Sequence, residues 1–277
     1  MEKYDIIIQG GQSNAEGFGI GPDKWEYVKN PNVLYLEAEK KITQLPVSCA
    51  IEFLDKPYSL TVADYRENEK GKLGDFALSF ANEYIESGRL AEDTKLLIIR
   101  TAVGGTGYKT NQWGEGRILE EKMFELVDYA LSLNPENRIV AFLWSQGETE
   151  VLAQNDSEVF RKEFKGTLDR VRKTYGREFP ILATEFTERF VKQFNEFSVK
   201  ILPVLREVVN GTENAAMVGT KWLLSNDDVM KNGDIFHFSR EALRFLGARM
   251  FYCFEEMVSG EKYDFSFLAY EIKGRKN

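Results

Sequence analysis

Ile6-Ile7-Ile8-Gln9-Gly10-Gly11-Gln12-Ser13-Asn14 decides how the rest of the 277-residue chain is read. Three β-branched apolar residues, followed by a polar residue and two glycines, describe a short strand buried on both faces, as in a parallel sheet. Four further runs have this character: Leu96 to Ile99, Ile139 to Trp144, Ile181 to Ala183 and Ala215 to Val218. Between them, apolar residues recur at helical spacing. Phe76, Ala77, Phe80, Ala81, Tyr84 and Ile85 form one stripe, and Met123, Leu126, Val127, Ala130 and Leu131 a second. Phe160, Phe164, Leu168 and Val171 form a third. A fourth runs from Phe190 through Phe194, Phe197, Ile201 and Leu205 to Val208, with Pro203 as the point where it kinks or breaks. A last helix covers Arg240 to Met257, with Leu243, Leu246, Gly247 and Met250 on one face and Ser239 as its N-cap. Strands alternating with helices predict an α/β fold: a three-layer sandwich around a central, mostly parallel five-stranded sheet.

The stretch from Gly19 to Gly74 breaks this rhythm. Pro22, Pro31, Pro46 and Pro57 interrupt it, and its strand signals, such as Val33-Leu34-Tyr35-Leu36, are weak. It reads as a long irregular excursion, about 19–74, that walls the site. No repeat or low-complexity linker divides the sequence, so residues 1–277 are expected to form one domain. Hydrophobic residues make up 43% and charged residues 29%, the composition of a globular protein whose core needs neither disulfide nor structural metal.

Thirty-six Lys and Arg against 44 Asp and Glu give a net charge of -8, which speaks against a general nucleic-acid surface. The one compact basic run, Lys273-Gly274-Arg275-Lys276, reads as a solvated end. Cys49 and Cys253 lie far apart without zinc-ligand spacing and read as two free thiols in a reducing compartment. No run approaches 18 apolar residues, so no membrane span is expected. Met1-Glu2-Lys3-Tyr4 leads straight into the first apolar run, with no room for a signal peptide, and the expected location is cytoplasmic.

Ligands of an open α/β sheet bind beyond the carboxyl ends of its strands. After the first strand comes Gly10-Gly11-Gln12-Ser13-Asn14; after the second, Val103-Gly104-Gly105-Thr106-Gly107; after the third, Ser145-Gln146-Gly147-Glu148-Thr149-Glu150. Beyond the fifth lies Asp234-Ile235-Phe236-His237. A serine behind two glycines is either an exposed nucleophile or an ordinary helix entry. A serine hydroxyl needs a base, and His237 is the only histidine in the chain. Asp234, three residues before it, is spaced to accept from Nδ1–H and leave Nε2 facing a serine. Acyl transfer also needs fixed N–H donors for an oxyanion. The amides of Ser13, Gly104 and Gly105 and the Gln146 side chain are of the right type; a tight turn and a loop-pinning hydrogen bond explain the last three as well.

Together the four segments resemble the SGNH hydrolase superfamily, and within it the carbohydrate esterase branch related to sialate O-acetylesterases and acetylxylan esterases. The resemblance rests on Gly11-Gln12-Ser13-Asn14, on Gly104-Gly105-Thr106 with Trp113, on Trp144-Ser145-Gln146-Gly147-Glu148, and on Asp234-Ile235-Phe236-His237-Phe238, in order from residue 5 to about residue 250. It implies a flavodoxin-like fold with Ser13 as nucleophile, His237 as base and Asp234 as its orienter. It implies oxyanion donors from Ser13, Gly104 or Gly105 and Gln146, and leaves Gln12, Asn14, Trp113 and Glu148 to contact substrate or support loops, Glu148 as a clamp. The sequence departs from the branch where Gly107 stands in place of a frequent Ser, and Glu150 in place of a frequent Asp or Asn.

The implied activity is that of a serine esterase removing a small acyl group, an O-acetyl, from a carbohydrate, with no metal or cofactor. The expected partner is a small-molecule or oligosaccharide acyl ester, with no nucleic acid and no membrane. Trp25, Trp113 and Trp222 are of the type that stacks on sugars, though packing accounts for each equally well. Three other readings stand beside it. One is an inactive carbohydrate-binding protein of the same fold, and another an esterase or thioesterase acting on non-sugar acyl esters. The last is a phosphate loop at Gly104 to Thr110, which fails because Tyr108 stands where a glycine should precede Lys109-Thr110.

Overall fold

The computed structural model describes residues 2–22, 30–43 and 76–262. Its sheet has seven strands rather than the five expected: β1 (Lys3–Gly11), β2 (Val33–Leu36), β3 (Ile42–Thr43), β4 (Thr94–Ala102), β5 (Arg138–Ser145), β6 (Ile181–Thr184) and β7 (Ala215–Val218). They lie in the order β3-β2-β4-β1-β5-β6-β7. All neighbours are parallel except β2 and β3. The five predicted runs are β1 and β4 to β7. The two extra strands come from the excursion, where β2 pairs with β4 from Val33 opposite Leu96 to Tyr35 opposite Ile98. Such short strands owe their existence to the edge they pair with rather than to local propensity, which is why their sequence signal is weak. Trp25, Pro46, Cys49, Pro57 and the basic tail lie outside the described residues.

Nine helices occur among the described residues: α1 (Ser13–Glu16), α2 (Phe76–Glu86), α3 (Ile118–Ser132), α4 (Glu148–Leu152), α5 (Ser157–Tyr175), α6 (Glu188–Gln193), α7 (Asn195–Asn210), α8 (Asn226–Met230) and α9 (Arg240–Ser259). The fourth predicted stripe is split between α6 and α7, but at Phe194 and not at Pro203, which sits inside α7. Proline's φ suits a helix, and its missing hydrogen bond is outweighed by the burial of Ile201, Leu202 and Leu205. Ser239 caps α9 as expected, accepting from the Ala242 N–H at 3.3 Å.

Alternation along β1 sorts the layers. Ile6 and Ile8 pack with Met123 and Leu126 of α3, Phe160 and Phe164 of α5 and Leu205 of α7. Ile7 points the other way, toward Phe76 and Phe80 of α2 and Leu243 and Leu246 of α9. This gives three layers with the sheet in the middle. Each of these fully buried isoleucines contributes about 1.5–3 kcal/mol. Among the described residues no helix is long and apolar enough to cross a membrane. Cys253, a free thiol on α9, is pushed up to about 11 by burial and is therefore a thiol at neutral pH.

Parallel register sets the site. Gly11 stands opposite Ala102 of β4 and opposite Ser145 of β5. The three strands end abreast, so the turns that follow them share one rim of the sheet.

Candidate active site

Gly11 is required by its surroundings. Its φ is +131°, and a Cβ there would lie 2.0 Å from the Ser145 carbonyl oxygen. The Gln12 N–H donates to that oxygen at 2.9 Å. The chain then enters α1 at once, with Ser13 as its first residue. Gly17, in the left-handed region, ends the helix by returning its N–H to the Ser13 carbonyl. Two buried side chains hold this single turn from below. Gln9 Nε2 donates to the Ala15 carbonyl at 2.7 Å, and Arg100 donates to the Glu16 carbonyl at 3.3 Å and to Gln9 Oε1 at 2.8 Å. As the first helical residue Ser13 has no intrahelical acceptor for its N–H, and among the described residues none is supplied from elsewhere.

Asp234 and His237 form a pair. His237 Nδ1 lies 2.8 Å from Asp234 Oδ2. Asp234 Oδ1 accepts the backbone N–H groups of Phe236 and His237, each at 3.2 Å, which closes the loop at this three-residue spacing. Asn226, the first residue of α8, donates to Asp234 Oδ2 at 2.8 Å. Burial alone raises the Asp234 pKa, but its bonds to His237 and Asn226 outweigh that and hold the carboxyl below the usual range. A proton kept on Nδ1 by this carboxylate leaves Nε2 with its lone pair.

Asn14 ties the two regions together. Its Nδ2 donates to the Phe236 carbonyl at 3.1 Å, and its Oδ1 accepts the Phe238 N–H at 3.0 Å. The residue after Ser13 therefore holds both neighbours of His237. Phe18 adds a second tie. Its N–H donates to the Ser13 carbonyl at 3.3 Å, and its ring stacks on His237 with centroids 5.2 Å apart. Asn14 Nδ2 also donates to Glu148 Oε1 at 2.8 Å. Glu148 is buried, its pKa is raised by desolvation, and its Oε2 has no partner.

The other two turns close the rim. Gln12 Oε1 accepts from the amides of Gly147 and Thr149, at 3.4 and 3.1 Å, and so fastens the Ser13 turn to α4. Gln146 is buried and donates from Nε2 to Glu150 at 2.8 Å. The two glycines of the β4 turn differ. The Gly104 N–H donates to Glu16 Oε2 at 2.7 Å, so it is already engaged. The Gly105 N–H is exposed and has no acceptor among the described residues. No helix begins at Lys109-Thr110, since α3 starts only at Ile118, and the phosphate-loop reading has no helix N-terminus to rest on.

Of the support residues, Gln12, Asn14 and Glu148 join loops. Trp113 is no sugar platform: it is buried, packs its ring edge against Trp144 at 4.7 Å and donates to the Gly11 carbonyl at 3.3 Å. Trp222 is exposed in the loop after β7, with its backbone N–H on Glu188. The sequence motifs do not single out Glu16, Phe18, Asn226 or Thr187, whose hydroxyl donates to the Ile235 carbonyl at 2.5 Å. A charged residue three positions after Ser13 on a buried turn was a signal for Glu16; the others have none outside the fold. Among the described residues no group of three or more His, Cys, Asp or Glu is arranged to hold a metal ion.

The fold recurs in solved structures. NanS superposes with a TM-score of 0.73 at 17% identity, covering 94% of this chain and 99% of NanS. A protein from Arabidopsis thaliana gives 0.67 at 21% identity, covering 92% and 98%. A carbohydrate acetylesterase from Xanthomonas citri gives 0.50 at 14% identity, covering 94% of this chain and 58% of its own. No curated protein matches in sequence. Residues 3–256 match the family described as carbohydrate esterase, sialic acid-specific acetylesterase, and the chain belongs to that family.

Proposed function

We propose that the protein is a serine esterase that removes a small acyl group, an O-acetyl, from a carbohydrate. The observation that carries the mechanism is the double tie around His237. Asn14, within the Ser13 turn, and Phe18, just after it, grip the segment in which His237 pairs with Asp234. Family membership supports the sugar acetyl ester as substrate.

In this reading Ser13 Oγ attacks the ester carbonyl carbon while His237 Nε2 takes the hydroxyl proton. Asp234 holds the imidazole in the needed tautomer and stabilises the imidazolium that forms. Negative charge collects on the former carbonyl oxygen, where the Ser13 amide, the Gly105 amide and the second hydrogen of Gln146 Nε2 receive it. The tetrahedral species collapses and the sugar oxygen leaves with the proton from His237. Water, deprotonated by His237, then attacks the acetyl-serine; acetate departs and Ser13 regains its proton.

Hydrolysis of acetylated sugars by the wild type, Ser13→Ala and His237→Ala tests this. The expected result is acetate release by the wild type alone. Wild-type rates in Ser13→Ala would end the proposal.

A further inference from the structure

The turn after β4 and helix α4 fit each other through an absent side chain. Gly107 is buried and its φ is not positive, so its own backbone does not call for glycine. A Cβ there would stand 2.2 Å from Glu150 Oε1, 3.1 Å from Thr149 Cγ2 and 3.2 Å from Gln146 Nε2. Glu150 fills that space. Its carboxylate is fully buried and accepts four N–H donors. Oε1 takes the Tyr108 amide at 2.7 Å and Gln146 Nε2 at 2.8 Å; Oε2 takes Asn155 Nδ2 at 2.6 Å and the Lys109 amide at 3.2 Å. Gln146 Oε1, by contrast, is buried with no hydrogen-bond partner. The bond to Glu150 is therefore what decides which end of the Gln146 amide is nitrogen.

We propose that Glu150 is a positioning residue for acyl transfer: it holds one hydrogen of Gln146 Nε2 and so aims the other at the oxyanion, and Gly107 is the space that lets it reach. The inference rests on the esterase reading above. An amide flipped the other way turns its carbonyl oxygen toward the developing negative charge and repels it. Glutamine at 150 can donate to Gln146 Oε1 and hold that wrong flip. The two positions at which the sequence departs from the branch pattern, Gly107 and Glu150, thus form one unit, with length gained at 150 where a side chain is missing at 107.

The test measures kcat, KM and thermal midpoint with 4-nitrophenyl acetate for wild type, Ser13→Ala, Gln146→Ala, Glu150→Gln and the Gln146→Ala/Glu150→Gln double variant. Loss of one oxyanion donor costs about 10²–10³ in kcat. Gln146→Ala is expected in that range, Glu150→Gln at about 10² with KM within roughly threefold, and the double variant no slower than Gln146→Ala, because a residue acting through another adds nothing once that other is gone. A Glu150→Gln variant within twofold of wild-type kcat overturns the proposal. So do multiplying effects in the double variant; in either case loss of activity in Ser13→Ala leaves the esterase reading standing. Wild-type activity in Ser13→Ala, or an inert wild type, defeats both. If Glu150→Gln does not fold, Gly107→Ser/Glu150→Asp serves instead. It should recover at least tenfold of the kcat lost in Gly107→Ser alone, and no recovery overturns the proposal.

Discussion

Ser13 and His237 are held by different means. Ser13 stands two residues beyond the end of β1, the strand between β4 and β5, and its place follows from backbone register on both sides of that strand. His237 lies in a loop between α8 and α9, outside every strand. Its place follows from a local backbone bridge, with the Asn226 N–H on the His237 carbonyl at 2.8 Å, and from side chains: Asn14 on both flanking residues, Asn226 on its carboxylate partner, Thr187 on the Ile235 carbonyl. A ladder is shared with the core, so damage to it is damage to folding. A polar pin is local, so damage to it loosens the site and leaves the fold standing.

The sharpest break of this contrast is Gly11→Ala. The new Cβ meets the Ser145 carbonyl at 2.0 Å in a backbone conformation that L side chains rarely adopt. Loss of about 3 kcal/mol or more is expected, with soluble expression failing or the thermal midpoint falling well before kcat per folded molecule changes. A stable, inactive Gly11→Ala would reverse the assignment of roles.

Asn226→Ala probes the other side. It removes the donor on Asp234 and leaves the Phe18 carbonyl and the Ile20 N–H without that side chain. A tenfold to hundredfold fall in kcat is expected, with about 1–2 kcal/mol of stability lost. Denaturant titration beside steady-state kinetics separates the two, and an unchanged kcat would show that Asn226 does not hold Asp234 for catalysis.

Glu148 sharpens the contrast through pH. Its folded-state pKa is raised above 4.5 by burial, so the folded chain binds this proton more tightly than the unfolded one. The stability it contributes is present in full below the ordinary carboxylate range and is lost as pH rises through the raised value. Glu148→Gln removes that loss. Melting curves should show the variant gaining on the wild type as pH climbs from about 4.5; a constant difference across pH would mean the carboxyl is not perturbed. Trp113→Phe is expected to be the mildest change. It forfeits one hydrogen bond to the Gly11 carbonyl, about 1 kcal/mol, and leaves KM for acetylated sugars within twofold. A large rise in KM would restore Trp113 as a substrate contact.

The same contrast explains what the sequence disclosed. Ile6-Ile7-Ile8 and the other buried runs are legible because burial on both faces leaves a compositional mark, and Asp234 with His237 is legible because three-residue spacing suffices for the contact. The strand Val33–Leu36 exists because β4 offers it an edge, and its own local signal is weak. Asn14 was legible as part of a motif, but not as the clasp on residues 222 and 224 positions away. The choice between Gly104 and Gly105 was open in the sequence because it turns on Glu16, whose carboxylate takes the Gly104 amide.

Whether Ser13 carries the acyl group is decided by trapping it. Wild type and Ser13→Ala are treated with a phosphonate that modifies activated serines, and the adduct is located by peptide mass spectrometry. One adduct is expected, on the peptide holding Gly11-Gln12-Ser13-Asn14, lost in Ser13→Ala and reduced sharply in His237→Ala. An adduct on another residue, with hydrolysis of acetyl esters intact in Ser13→Ala, would contradict this assignment.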